Sequence, residues 1–200
     1  MSKWMRERQR DYYFRKAKRE KYRSRAAYKL KQINDRYHLI HRGDVVVDLG
    51  CAPGSWSQVA AELVGPEGTV IGLDLLPVDP IPGVTILQGD ILKAEAIVLL
   101  KETLAGQQPH VILSDMSPHI SGNRLRDHLQ SMVLAEAAFD FALQCLRPGG
   151  NLVLKVFEGE SLPDFLRRVR SVFHFCKPHV PPASRAESSE IYLVGRGFRP

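Results

Sequence analysis

The sequence predicts an α/β fold, a Rossmann-like sheet of seven mostly parallel strands with helices on both faces. Three observations predict it. Residues 45–56 read Val-Val-Val-Asp-Leu-Gly-Cys-Ala-Pro-Gly-Ser-Trp: a β-branched run, a glycine turn, then a helical pattern. Strand-like and helix-like segments then alternate almost to the C-terminus, which implies right-handed crossovers between parallel strands. Carboxylates close successive strands at Asp48, Asp74, Asp90 and Asp115, so they share the rim where open α/β sheets bind ligands.

The elements follow in order. Residues 1–23 read as a basic arm, mobile or weakly helical, ahead of a domain at 24–200. From Ser24, Ala26, Ala27, Leu30, Ile33 and Tyr37 recur at helical spacing. Residues 44–49 are strand one and 55–63 its helix, with Val59, Ala60 and Leu63 on one side. Strands two and three are residues 69–74 and 84–87, and 94–104 is a helix. Strand four is 110–115. A long amphipathic helix over 127–146 is closed by Arg147-Pro148-Gly149-Gly150. Strand five is 151–157, a helix follows at 162–172, and strands six and seven are 173–177 and 190–194.

Composition narrows the function. Two hundred residues suffice for one domain with a sizeable core. No apolar run approaches the ~20 residues of a membrane span, and no apolar stretch follows the basic N-terminus as a secretory signal requires. Cys51, Cys145 and Cys176 are an odd, scattered set that argues for the reducing cytoplasm. His174, Cys176 and His179 lack a second ligand pair at zinc spacing, so no metal is expected. Charge is divided unevenly. Residues 1–31 carry 13 Lys or Arg against 3 Asp or Glu, and the other 169 carry 15 against 19. In the arm, Tyr12, Tyr13, Phe14 and Tyr22 interleave with Arg15, Lys16, Lys18, Arg19, Lys21 and Arg23. Aromatic rings among cations suit RNA, whose bases stack and whose phosphates pair.

The glycine turn selects the ligand. Gly50 and Gly54 are four apart, so neither a dinucleotide fingerprint nor a P-loop is present. A turn without a phosphate cradle suits a nucleoside that carries no phosphates, such as S-adenosyl-L-methionine. Asp74 lies 24 residues after Gly50, near the offset at which a carboxylate accepts ribose hydroxyls. Asp90 is placed to accept from an adenine amino group. Lys155 interrupts the apolar strand Leu152-Val153-Leu154-Lys155-Val156-Phe157. A lysine there either reaches out of the sheet end into a site or pairs with a carboxylate, and Asp115 on the adjacent strand is the expected partner.

These residues resemble one family throughout. Asp-Leu-Gly-Cys-Ala-Pro-Gly-Ser-Trp-Ser-Gln, Ser-Asp-Met-Ser-Pro, Lys-Val-Phe-Glu-Gly and Ser-Ser-Glu-Ile-Tyr are similar to motifs of the FtsJ/RlmE ribosomal RNA 2′-O-ribose methyltransferases, over roughly residues 24–194. The resemblance implies a class I S-adenosylmethionine-dependent methyltransferase fold. It implies a Lys-Asp-Lys-Glu tetrad at Lys29, Asp115, Lys155 and Glu190. It implies cofactor contacts at Gly54, Trp56, Asp74, Asp90 and Asp115. By the same resemblance the substrate is a uridine of large-subunit ribosomal RNA, within the assembled subunit. Lys155 is then the general base, Asp115 orients it, and Lys29 and Glu190 complete the polar site. A monomer with no obligate protein partner is expected. A different RNA acceptor, such as a transfer RNA or an mRNA cap, and a non-catalytic ribosome-assembly factor stay open at this point.

Overall fold

The computed structural model describes residues 12–185 and 188–200. Seven strands form one sheet in the order β3-β2-β1-β4-β5-β7-β6. They are β1 (Val45–Leu49), β2 (Thr69–Asp74), β3 (Val84–Gln88), β4 (Val111–Ser114), β5 (Asn151–Phe157), β6 (Phe173–His179) and β7 (Glu190–Phe198). β7 runs antiparallel to both of its neighbours, and the other pairings are parallel. The helices are α1 (residues 12–19), α2 (Ala27–Tyr37), α3 (Ser55–Val64), α4 (Ala94–Leu104), α5 (Arg124–Cys145) and α6 (Leu162–Ser171). The chain order reverses between β1 and β4, which creates the switch point at which such sheets bind ligands.

Strand alternation splits the core in two. Val45, Val47, Leu49, Leu152, Leu154 and Leu193 face α4, α5 and α6. Val46, Val111, Leu113, Val153, Tyr192 and Val194 face α1, α2 and α3, where Leu30, Ile33, Trp56 and Val59 cover them. Among the described residues no helix is long and apolar enough to cross a membrane.

Several elements differ from the sequence expectation. α1 is docked on the body, with Ala17 and Tyr22 buried in the second core. Tyr22 donates to Glu62 (2.6 Å), and Gln58 donates to the Lys21 carbonyl while accepting the Arg23 N–H. The expected arm residues 1–11 lie outside the described residues. α5 starts three residues early, because the Asn123 side chain accepts the Arg126 N–H and caps it, while Asp127 binds the loop at Ser121 and Gly122. β7 runs on to Phe198 through two glycines. The Phe173 ring lies across Gly195, where a Cβ would stand 3.0 Å from it, so the missing side chain lets strand and ring pack.

Candidate active site

Parity places the polar residues. Asp115 follows β4 in phase with Val111 and Leu113, Lys155 shares the side of Val153, and Glu190 shares that of Tyr192. All three therefore turn to the face covered by α2, which carries Lys29. Lys155 Nζ lies 3.0 Å from Asp115 Oδ1 and also donates to the Asp115 carbonyl. Lys29 Nζ lies 2.5 Å from Glu190 Oε1, with both side chains largely buried.

One side chain joins the two ion pairs. The Tyr192 hydroxyl donates to Asp115 Oδ1 (2.7 Å) and accepts from Lys29 Nζ (3.2 Å). Tyr192 stands opposite Lys155 in the β5–β7 register and is fully buried. Burial, with the Asp115 and Glu190 charges adding to it, raises its pKa well above the usual phenol value, so it remains a donor. Sequence reasoning gave Tyr192 no role. The signal was present, because Glu190 and Tyr192 are two apart on a strand and so share a face.

A cavity of about 520 Å³ adjoins this network, and Asp115 belongs to both. Asp74 and Asp90 also line it, at the ends of β2 and β3. Asp74 is held by two backbone donors, Ala52 N–H on Oδ2 and Leu76 N–H on Oδ1, each at 2.8 Å. Asp90 accepts the Leu92 N–H at 3.0 Å. Gly50 keeps the cavity mouth open: its φ is +76°, and a Cβ there would stand 2.3 Å from Met116 Cγ and 3.0 Å from Met116 Cα. The lining holds three carboxylates and neither Lys nor Arg. That donor-hungry wall fits a ligand with hydroxyls, an amino group and a cationic end, and it disfavours phosphates.

Gly54 and Trp56 stand outside this lining. The buried Trp56 indole donates to the Ala26 carbonyl (2.9 Å) and lies 5.6 Å from the Tyr192 ring, so it fixes α2 and Lys29 against the sheet. Gly54 packs under Ile81 and Arg23, and the Arg23 guanidinium donates to the carbonyls of Pro53, Asp79 and Pro80. Asp48 does not join the rim. It is fully buried, Ser57 donates to its Oδ2 (2.6 Å), and its Oδ1 has no partner among the described residues. Burial, with the Asp115 and Asp74 charges adding to it, pushes its pKa up to about 7.

A family model for FtsJ-like methyltransferases matches residues 22–198. The chain belongs to the FtsJ-like methyltransferase family. It is 49% identical over 188 residues to the ribosomal RNA large subunit methyltransferase E of Methanothrix thermoacetophila, which covers 94% of this chain and 72% of that protein. It is 48% identical over 196 residues to the protein of the same name from Nitrosospira multiformis, covering 98% of this chain and 95% of the relative. Among solved structures, a Plasmodium falciparum protein provisionally named a ribosomal RNA methyltransferase superposes with a TM-score of 0.80 at 34% identity. The alignment covers 88% of this chain and 98% of that one. As an FtsJ-like methyltransferase, this chain is an enzyme that transfers a methyl group.

The Lys29–Glu190 pair makes a prediction about stability. Glu190→Ala strands the buried Lys29 charge and should lower unfolding free energy by about 3 kcal/mol. Lys29→Met in the Glu190→Ala background should restore most of that loss in urea titrations, because no buried charge is then left alone.

Proposed function

We propose that this methyltransferase is a cytoplasmic, monomeric enzyme that uses S-adenosyl-L-methionine to methylate the ribose 2′-oxygen of a uridine in large-subunit ribosomal RNA. The observation that carries the reading is Lys155, an amine 7% exposed and held by Asp115 at the edge of the cofactor-sized cavity. When bound, S-adenosyl-L-methionine supplies a methyl group on a sulfonium, an electrophile whose leaving group departs neutral.

The chain's own residues then align an acceptor and move its proton. In its neutral amine form, Lys155 Nζ would accept the proton of the acceptor 2′-hydroxyl. Asp115 holds the resulting ammonium and sets its direction. Tyr192 ties Asp115 to Lys29, and Lys29 with Glu190 braces that side of the acceptor site. Asp74 and Asp90, which line the cavity, would accept from the ribose and adenine of the donor, and Gly50 would leave room for it. Gly54 and Trp56 act from behind the turn, by holding it against α2 and Arg23.

Purified large ribosomal subunits lacking the modification, incubated with enzyme and labelled cofactor, should gain one methyl that maps to a uridine 2′-oxygen. Label on a base, or on transfer RNA alone, would sink the reading. The basic region should place the RNA through phosphates. Because Ala17 and Tyr22 are core residues, the informative change is neutralisation rather than deletion. Lys18, Arg19 and Lys21 are exposed, and changing all three to Gln should reduce the salt slope of RNA binding by about 2. An unchanged slope would remove this segment from the RNA footprint.

A further inference from the structure

The end of the sheet opposite the cavity carries a second concave site. A cleft of about 450 Å³ opens there beside the starts of β1, β4, β5 and β6. His38, His41, His110 and His174 line it, four of the seven histidines in the chain. Arg147 and Arg196 line it as well. Neither guanidinium donates a hydrogen bond or forms an ion pair among the described residues. Asp44 is the one carboxylate in the lining, and it is already engaged, accepting the His41 N–H at 2.8 Å with the His110 ring 3.8 Å away.

The chemistry of the wall is that of an anion site. His110 Nδ1 accepts the Val45 N–H at 3.0 Å, so the ring proton sits on Nε2. Burial, with Arg147 adding to it, lowers the His110 pKa, so this ring serves as a neutral donor. Two forked guanidiniums with free donors match the oxygens of a phosphate. An aromatic face stands at the same cleft. Phe175 lines it, is 41% exposed, and has its ring backed by Tyr37 at 6.0 Å. Phe175 is also the cross-strand partner of Arg196, so ring and cation are fixed side by side. An exposed ring next to unpaired cations is the pairing that single-stranded nucleic acid uses, with the base on the ring and the phosphate on the cations.

We propose that this cleft is a second RNA contact, remote from the methyl-transfer site, in which Arg147 and Arg196 bind a backbone phosphate and Phe175 stacks an adjoining base. The proposal rests on the reading of RNA as the partner, but it does not depend on what is methylated.

The test is a binding measurement that needs no methyl transfer. A fluorescein-labelled single-stranded RNA of about 12 nucleotides is titrated with wild type, Arg147→Ala/Arg196→Ala and Phe175→Leu across a range of salt. The double variant should bind about tenfold more weakly, with a salt slope smaller by about 0.7, the share of one phosphate contact. Phe175→Leu keeps the apolar cover over Tyr37 while removing the stacking face. It should bind about fivefold more weakly with the slope unchanged. Wild-type affinity and slope in both variants would overturn the proposal, even if methylation of ribosomal subunits is found as described. Conversely, the predicted losses would stand even if the methylated position is not a uridine ribose. Histidine C2–H resonances read the occupant. If inorganic phosphate shifts the His38, His110 and His174 signals and the RNA does not, the cleft serves a small phosphate and the RNA assignment fails.

Discussion

Lys155→Ala should lower methyl transfer by about 10³-fold while leaving cofactor affinity within a few fold. Removing a positioned base removes a contribution of about 10²–10⁴ in rate. The cavity proposed for the donor is lined by Asp74, Asp90 and Asp115, and Lys155 is not part of that lining. Cofactor binding should therefore survive, with Asp115 still engaged by the Tyr192 hydroxyl. Lys155→Arg sharpens the result. A guanidinium keeps the charge and the ion pair to Asp115 but does not give up its proton. It should be as inactive as the alanine variant in single-turnover assays. Turnover near wild type by the arginine variant would show that the charge at this position, and not proton transfer, is what the reaction needs. Calorimetric titration of the cofactor into each variant checks that the loss lies in chemistry.

Asp48→Asn should change how stability depends on pH. The folded pKa of Asp48 is about 7, above the ordinary carboxyl value of 3.8. Between these values the folded protein keeps a proton that the unfolded chain has lost. Folded stability therefore falls as pH rises through that window. The loss amounts to at most about 1.4 kcal/mol per pH unit, and it is complete above the folded pKa. An asparagine has no charge to bury, so the variant should lack this slope. Urea unfolding of both proteins from pH 4 to pH 8 should give curves that diverge, with the variant gaining relative stability by several kcal/mol at the alkaline end. Parallel curves would mean that Asp48 ionises in the folded protein as readily as in water. The cause is local: Ser57 satisfies one carboxylate oxygen, and nothing among the described residues satisfies the other.

Much of the fold was legible because its signals are local. The β-branched run at Val45–Val47, the glycines at 50 and 54 and the helical pattern after them determine a strand, a turn and a helix within a few residues of one another. The limits of α5 and β7 were misjudged for a different reason. The sequence expectation starts the helix at Asp127, whereas the Asn123 side chain caps it earlier and Asp127 accepts from the loop at Ser121. Gly195 and Gly197 lie beyond the expected end of strand seven at residue 194, and the rings of Phe173 and His174 pack in the space beside them.

The site divides along the same line. The residue types at strand ends, and Lys155 within an apolar strand, are chemical oddities visible in the chain itself. Asp48 looked equivalent to Asp74 and Asp90, because sequence gives a strand's end but not which side of the sheet is covered there. α3 lies over Asp48 and supplies Ser57 to it, whereas Asp74 and Asp90 end on open rim.

The sequence by itself determined the order of strands and helices, the phosphate-free turn at Gly50 and the set of acids and amines available for chemistry. Only the tertiary structure decided that Tyr192 links Lys29 to Asp115, that Asp48 is sealed in, that residues 12–22 are docked on the body, and that histidines from three distant segments line one cleft. The reason is physical. Backbone period and turn geometry act between near neighbours, whereas burial and hydrogen-bond partnership depend on which distant surfaces the fold presses together.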